Sequence, residues 1–121
     1  MTDAQRYGGG MEIADVTMVD VLRAVADPIR LRIVQVLADG KPHGKCGEHW
    51  DFGVHKSTMT HHFRTLREAG LTRTVVTGRT HTIELRRAEL DARFPGLIDA
   101  LIAGSQETAS ASMSSFSRTA D

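Results

Sequence analysis

The sequence lacks the features that mark secreted and membrane proteins. Its single cysteine, Cys46, has no second cysteine in the chain with which to form a disulfide. The first residues, MTDAQRYGGG, have neither the basic start nor the apolar stretch of a secretory signal. No apolar run approaches the roughly 20 residues that span a bilayer. We therefore expect a cytoplasmic protein with no membrane partner.

The sequence also lacks a net charge, since fifteen basic residues balance fifteen acidic ones. This total hides an asymmetry along the chain. Between Lys41 and Arg87 there are nine basic and four acidic residues, so this segment carries +5 and its flanks together carry −5. A basic middle between acidic flanks is expected of a DNA-binding protein with a separate surface for a partner.

Length and patterning predict a single folded domain. The 121 residues are 40% hydrophobic and 25% charged, which are ordinary values for one compact domain. Residues 1–12 have no periodic apolar pattern and predict a flexible arm. Residues 104–121 are rich in Ser and Ala and predict a disordered tail. The domain itself is expected to span residues 13–103.

Apolar residues at helical spacing predict two helices in the first third of the chain. The first runs from Asp15 to Ala26. Asp27 then has the position of an N-cap, and Pro28 that of a first helical residue, for a second helix. Gly40 is expected to end this second helix after residue 39.

Two further helices are predicted between residues 43 and 70. The segment HGKCGEHWDFGV is weakly periodic and predicts a short third helix that ends near Asp51 and Gly53. A fourth helix, capped by His55 or Ser57 and ended by Gly70, has a much stronger pattern. Its inward face is predicted to consist of Met59, Phe63 and Leu66.

Beyond residue 70 the period changes from helix to strand. Residues 71–85 contain β-branched side chains on both sides of the turn Thr77–Gly78–Arg79, which predicts a β-hairpin, or wing. Pro95 is expected to start a last helix. Its apolar stripe is wide for so short an element, and this favours a contact with a second copy of the chain.

Two helices joined by a short turn and followed by a basic hairpin are the parts of a winged helix-turn-helix. We predict a mainly α fold with a small β-hairpin wing that binds double-stranded DNA. Hydroxyl groups and cations on the outer face of the fourth helix would bond phosphates and base edges, and Arg79 would reach a minor groove or the flanking backbone. The predicted DNA contacts are Lys56, Ser57, Thr58, Thr60, His61, Arg64 and Arg79, with His62 as a further candidate.

The segments VLRAVADPIRLRIVQVLADG and HKSTMTHHFRTLREAGLTRTVVTGRTHTIEL resemble the ArsR/SmtB family of bacterial winged-helix regulators. The resemblance covers about Asp15 to Ile102. It implies a recognition helix from Lys56 to Ala69 and a homodimer formed by the first and last helices. The interface residues that it implies are Val19, Leu22, Leu97, Ile98, Leu101 and Ile102.

Family members are often repressors that a metal or an oxidant releases from DNA, but the familiar sensor motifs are broken here. Gly44 stands where a Cys-x-Cys pair has its first cysteine, with Cys46 at the second, and no histidine follows His81 to complete a zinc site with Asp91. One local cluster of histidine and cysteine remains, between residues 43 and 49, and its side chains would suit zinc, nickel or copper. The alternatives are a polar segment with an incidental thiol and a thiol that senses oxidants. The candidate metal ligands of this cluster are His43, Cys46 and His49.

The sequence therefore predicts a dimeric transcription regulator, most simply a repressor that binds a palindromic operator. Two alternatives stay open: a metal- or partner-dependent activator that works with a co-regulator protein, and a winged-helix module that binds proteins instead of DNA. An enzyme is not expected. Ser57, His61 and Glu68 on one short helix surround no cleft, and no oxyanion loop is evident.

Overall fold

The computed structural model of the chain describes residues 5–8, 11–45 and 50–104. These residues form a mainly helical domain with a small antiparallel sheet, in the order of a winged helix-turn-helix, so the predicted fold class is confirmed. The elements are β1 (Gln5–Gly8), α1 (Met18–Val25), α2 (Pro28–Val36), α3 (Lys56–Glu68), β2 (Thr72–Thr77), β3 (Thr80–Leu85), α4 (Arg87–Arg93) and α5, which is helical over 97–104. No helix within the described ranges has the length and apolar character required to cross a membrane.

The start and end of α2 follow the sequence prediction. Asp27 Oδ1 accepts hydrogen bonds from the backbone N–H groups of Ile29 and Arg30 at 2.8 and 3.1 Å, so it is the N-cap. Pro28 occupies the first turn, where a missing amide costs nothing. The helix continues as a 3-10 turn and closes at Gly40, whose φ of +73° is left-handed.

One hydrophobic core joins the helices to the inner side of the sheet. The predicted inward residues of α3, Met59, Phe63 and Leu66, are all buried in it. Ile98 of α5 is also completely buried within the protomer. It is therefore a core residue, and its predicted place in a dimer interface is wrong because a second copy cannot reach it.

Of the short third helix predicted between α2 and α3, the described residues show one helical position, the 3-10 conformation of Trp50. Residues 43–45 are not helical, and His43 exchanges backbone hydrogen bonds of 2.7 and 2.8 Å with Ile83 of β3. Residues 46–49, on which the rest of the prediction falls, lie outside the described residues. Residues 52–54 form bends, and the buried Trp50 packs edge-on against Phe63 with 5.1 Å between ring centroids.

The sheet has three strands in the order β1-β2-β3, all antiparallel. β2 and β3 form the predicted hairpin, with Gly78 and Arg79 as its two turn residues and a φ of +61° at Gly78. β1 was not expected, because residues 1–12 predict a loose arm. It pairs from Gln5 opposite Thr77 to Gly8 opposite Thr74. The edge of a strand forms backbone hydrogen bonds with an extended segment whatever its side chains are. The pairing of β1 therefore leaves no apolar pattern in the sequence from which it could be predicted.

α4 was likewise not predicted from the sequence. This helix buries only Leu90, and its N-cap residue, Arg86, makes no capping hydrogen bond with its side chain. It therefore has neither an apolar stripe nor a capping signal from which a helix could be recognised.

Candidate nucleic-acid interface

The outer face of α3 carries the residues predicted to contact DNA. Successive residues of an α-helix are turned by about 100°, so Ser57, His61 and Arg64 fall within about 60° of one another on this face. The face opposite the core thus combines a hydroxyl, an imidazole and a guanidinium that could bond base edges and phosphates. All six predicted contacts of the helix are exposed: Lys56, Ser57, Thr58, Thr60, His61 and Arg64.

The N-terminus of α3 is a second polar feature of the same surface. His55 stands at the N-cap position in an extended conformation, and its side chain makes no capping hydrogen bond. The amide groups of the first turn therefore keep their capacity to bond an anion. The positive end of the helix dipole adds to this preference for phosphate.

His62 does not belong to the DNA-facing surface, so its inclusion there was wrong. It is 7% exposed, and Arg30 Nη1 of α2 donates to its Nδ1 at 3.1 Å. Because a guanidinium has no acceptor, Nδ1 must be unprotonated. Burial lowers the pKa of His62; Asp27 opposes this, while the charges of Arg30 and His61 lower it further. His62 is a neutral packing residue between α2 and α3.

The tip of the wing is polar and positively charged. Arg79 is exposed, as is its neighbour in the turn, Gly78. The flanking Thr77 and Thr80 are exposed as well, so the tip offers two hydroxyl groups and a guanidinium to solvent. This chemistry fits contacts with the sugar-phosphate backbone or with a minor groove.

Ion pairs divide the nine cations of the basic segment into two groups. Arg73, Arg86 and Arg87 are paired with carboxylates; Arg73 Nε, for example, lies 2.7 Å from Glu84 Oε2. Within the described ranges the other six form no ion pair. They lie in the segment before α3, on α3 and at the wing tip, so the excess positive charge faces outward there: Lys41, Lys45, Lys56, Arg64, Arg67 and Arg79.

Arg86 and Arg87, at the end of β3, have internal roles. Arg86 is 6% exposed and pairs with Glu89 at 2.9 Å. Arg87 donates to the Ala38 carbonyl at 3.1 Å and pairs with two carboxylates, of which the hydrogen-bonded Asp91 contributes most to raising its pKa.

The predicted metal ligands are only partly described. Cys46 and His49 lie outside the described residues. His43 is described, and its Nε2 lies 3.1 Å from Asp39 Oδ1 in an i,i+4 pair. In the parts of the chain that the structure covers, no three His, Cys, Asp or Glu side chains are grouped to hold a metal ion. A metal at this segment stays a prediction.

Three large apolar side chains of α1 are directed toward solvent. Val19 is 57% exposed and Leu22 45% exposed, and Met18 lies beside them on the same face. We call these three residues the α1 apolar patch. The other predicted interface residues, which lie in α5, are half-buried against the protomer core: Leu97, Leu101 and Ile102.

Comparisons with known proteins agree with this geometry. The family model described as "Bacterial regulatory protein, arsR family" matches residues 27–74, from the N-cap of α2 into β2. The chain is also 34% identical over 88 residues to the uncharacterized HTH-type transcriptional regulator YceK of Bacillus subtilis (strain 168). That alignment covers 72% of this chain and 88% of YceK. With its winged helix-turn-helix and its exposed basic recognition helix, the chain belongs to the arsR family of DNA-binding bacterial transcriptional regulators.

Proposed function

We propose that the protein is a repressor that binds an imperfectly palindromic operator as a homodimer. The observation that carries this proposal is the exposed surface of α3, where Lys56 and Arg64 stand among hydroxyl groups without a carboxylate partner in the described residues. An unpaired guanidinium on a helix that fits a major groove can bond guanine in a bidentate manner or bond a phosphate. Base contacts would give the sequence specificity.

The proposed dimer rests on the α1 apolar patch. Exposed apolar area is costly in water, and a contiguous patch on one helix commonly marks an interface. In a twofold dimer the same patch serves both copies, which matches the twofold symmetry of a palindrome. The two copies of α3 would then enter major grooves about one helical turn of DNA apart.

Electrostatic attraction would provide most of the sequence-independent affinity. The six cations without ion pairs, which include Arg79 at the wing tip, are free to replace counterions along the phosphate backbone. Each phosphate contact makes the affinity more sensitive to salt. The proposal therefore predicts a steep fall of affinity with salt concentration on any duplex.

Repression would follow from occupancy of the promoter. A bound dimer covers the DNA that RNA polymerase needs, and this requires binding but no catalytic step. An activator that depends on a metal or a co-regulator, and a protein-binding module, are the alternative outcomes of the experiment that follows.

The test is binding of the purified protein to its own promoter DNA over a salt series, measured by fluorescence anisotropy. A scrambled duplex of equal length is the control, and the titrations are repeated with zinc, nickel and copper. We expect specific binding at least tenfold tighter than to the control, and reduced transcription from that promoter in vitro. Salt-independent or absent binding under every condition would contradict the proposal and favour the protein-binding module.

Binding that appears only with a metal, accompanied by increased transcription, would replace the repressor with a metal-dependent activator. Binding without metal that raises transcription only when a further protein is added would favour a partner-dependent activator. In both cases the proposed DNA-binding surface would still hold, but the protein would be an activator and not a repressor.

A further inference from the structure

A cavity of about 410 Å³ opens beside α3, between this helix and the preceding residues Lys45, Trp50 and Val54. Its volume lies within the range of pockets that hold small organic molecules. Its apolar surface comes from Trp50, Val54, Met59 and Phe63, and Thr60 adds a hydroxyl group.

The apolar wall of the cavity is well ordered by internal contacts. Trp50 and Phe63 meet edge to face, with an interplanar angle of 83°, and Trp50 Nε1 donates to the Gly44 carbonyl at 2.6 Å. The indole is thus held by a hydrogen bond and a ring contact. Met59 adds a flexible thioether that can adapt to the shape of a ligand.

The charged residues in the described lining of the cavity are all cations. Lys45, Lys56, Arg64 and Arg67 border it, and no carboxylate belongs to its described lining. Desolvation, followed by the nearby charge of Arg67, lowers the pKa of Lys45. Like charges held close together repel one another, and an anion placed among them would relieve this repulsion.

We propose that this cavity binds a small organic anion with an apolar body, of the class of aromatic sulfonates and carboxylates. The anionic group would lie among the cations and the apolar body against Trp50 and Phe63. Successive helix positions place Lys56, Thr60, Arg64 and Arg67 within about 80° of one another on α3, so one ligand can reach several of them.

Bound ligand would also exclude DNA from α3, and this second half of the inference rests on the proposed function. Lys56, Thr60 and Arg64 border the cavity and are also predicted DNA contacts. An anion that neutralises them removes phosphate-binding charge and occupies the adjacent space. By reciprocity, DNA would weaken binding of the ligand by the same factor.

The first test uses naphthalene-2-sulfonate as the probe. The chain has one tryptophan, so the ¹⁵N-labelled protein gives a single indole N–H resonance in an NMR spectrum, and that resonance reports on the cavity wall. We expect the probe to shift it to saturation. The uncharged isostere naphthalene-2-sulfonamide should bind at least fivefold more weakly. Absence of a shift, or equal affinities for the two compounds, would overturn the proposal.

The second test compares two charge deletions. Arg67→Gln removes a cation of the cavity rim, and Arg32→Gln removes an exposed cation of α2 that does not line the cavity. We expect the first to weaken probe binding about three- to tenfold and the second to change it less than twofold. Lys45→Gln is a second rim variant, and we expect it to weaken probe binding as Arg67→Gln does. Lys45 lies outside the helices, so this substitution leaves the sequence of α3 unchanged. Equal effects of the rim and control variants would overturn the site.

The final experiment separates the inference from the proposed function. Protein bound to its promoter DNA is titrated with naphthalene-2-sulfonate, and release is followed by anisotropy, with the sulfonamide as control. Release by the sulfonate alone supports competition. If the probe binds saturably but does not release the DNA, the proposed competition is overturned and the proposed ligand site in the cavity still stands. If the chain binds no DNA, the proposed function fails while the indole titration still decides the cavity.

Discussion

At the scale of single residues, the two exposed arginines of the predicted interface should differ in what they contribute. Arg64 lies on the outer face of α3 and Arg79 at the wing tip. We expect Arg64→Ala to cost about 1 to 3 kcal/mol of binding to the operator and much less on random DNA, because it removes a base contact. Parallel anisotropy titrations on both duplexes measure this difference. Equal losses on the two duplexes would show that Arg64 contacts only phosphate.

Arg79→Ala should act mainly on the salt dependence. Loss of one phosphate contact weakens binding to all sequences alike and lowers the slope of log affinity against log salt by about 1. The same variant series should include Arg32→Ala as a matched control for the loss of one exposed charge. A change of sequence preference in Arg79→Ala, with an unaltered slope, would place this side chain on a base instead.

His62 links the stability of the domain to pH. Since burial lowers its pKa in the folded state, the unfolded chain takes up the proton first as the pH falls below about 6.5. The free energy of unfolding should therefore decrease through this range, until the pH falls below the lowered pKa. Denaturant unfolding at several pH values between 5 and 8 measures the slope. His62→Gln should show a shallower slope than the natural chain, and equal slopes would contradict the assignment.

At the scale of the elements, the sequence predicted those that carry capping residues or an apolar stripe. Asp27 and Gly40 bound α2 because an N-cap and a left-handed C-cap each require particular residue types. The recognition helix and the hairpin have strong periodicity of their own. β1 and α4 have no such signal, since one is held through backbone pairing and the other buries only Leu90.

The candidate site was predictable to a similar degree. The six outer residues of α3 follow from the position of its inner face, and all six are exposed. The adjacent histidines were harder to assign, because His62 lies at the margin of the helix face and its partner Arg30 comes from a different helix. The cavity could not be anticipated, since it depends on how the segment before α3 packs on that helix.

Gly70, which follows α3, combines two constraints on the end of that helix. Its φ is +92°, and an added Cβ would lie 2.3 Å from Val16 Cγ2, in the buried core. We expect Gly70→Ala to lower the free energy of unfolding by about 2 to 4 kcal/mol through backbone strain and overpacking together. Urea denaturation measures the loss.

Gly78→Ala is the matched control for this prediction. Its φ of +61° is also left-handed, but a Cβ there would meet nothing within 4 Å. Only the backbone strain of about 1 kcal/mol should remain. If both variants were equally destabilised, the close approach of Val16 would not be what requires glycine at position 70.

At the scale of the whole molecule, dimerisation and operator binding should fail together. We expect Leu22→Glu, which places a charge in the α1 apolar patch, to weaken self-association at least tenfold because the interface would have to desolvate that charge. Analytical ultracentrifugation over a concentration series measures the change. Operator affinity should fall with it, while binding of a single half-site by concentrated protein should persist.

The control for this experiment is Val54→Glu. Val54 is also a large exposed apolar residue, 38% exposed, but it lies in the segment before α3, where it lines the cavity, and is not part of α1. Its substitution should leave the sedimentation behaviour unchanged. Equal dissociation in both variants, or an unchanged dimer in Leu22→Glu, would place the interface somewhere other than the α1 apolar patch.

The short strand β1 has a consequence for the behaviour of the protein at high concentration. It covers the side of β2 that faces away from β3, while the His43 bridge occupies part of the outer side of β3. Uncovered strand edges are templates on which other chains assemble into aggregates. β1 is itself an edge of the sheet, but its four residues offer a shorter template for pairing than the six residues of β2 would. We therefore expect a chain that lacks its first eight residues to aggregate at a lower concentration than the natural chain while it keeps its fold.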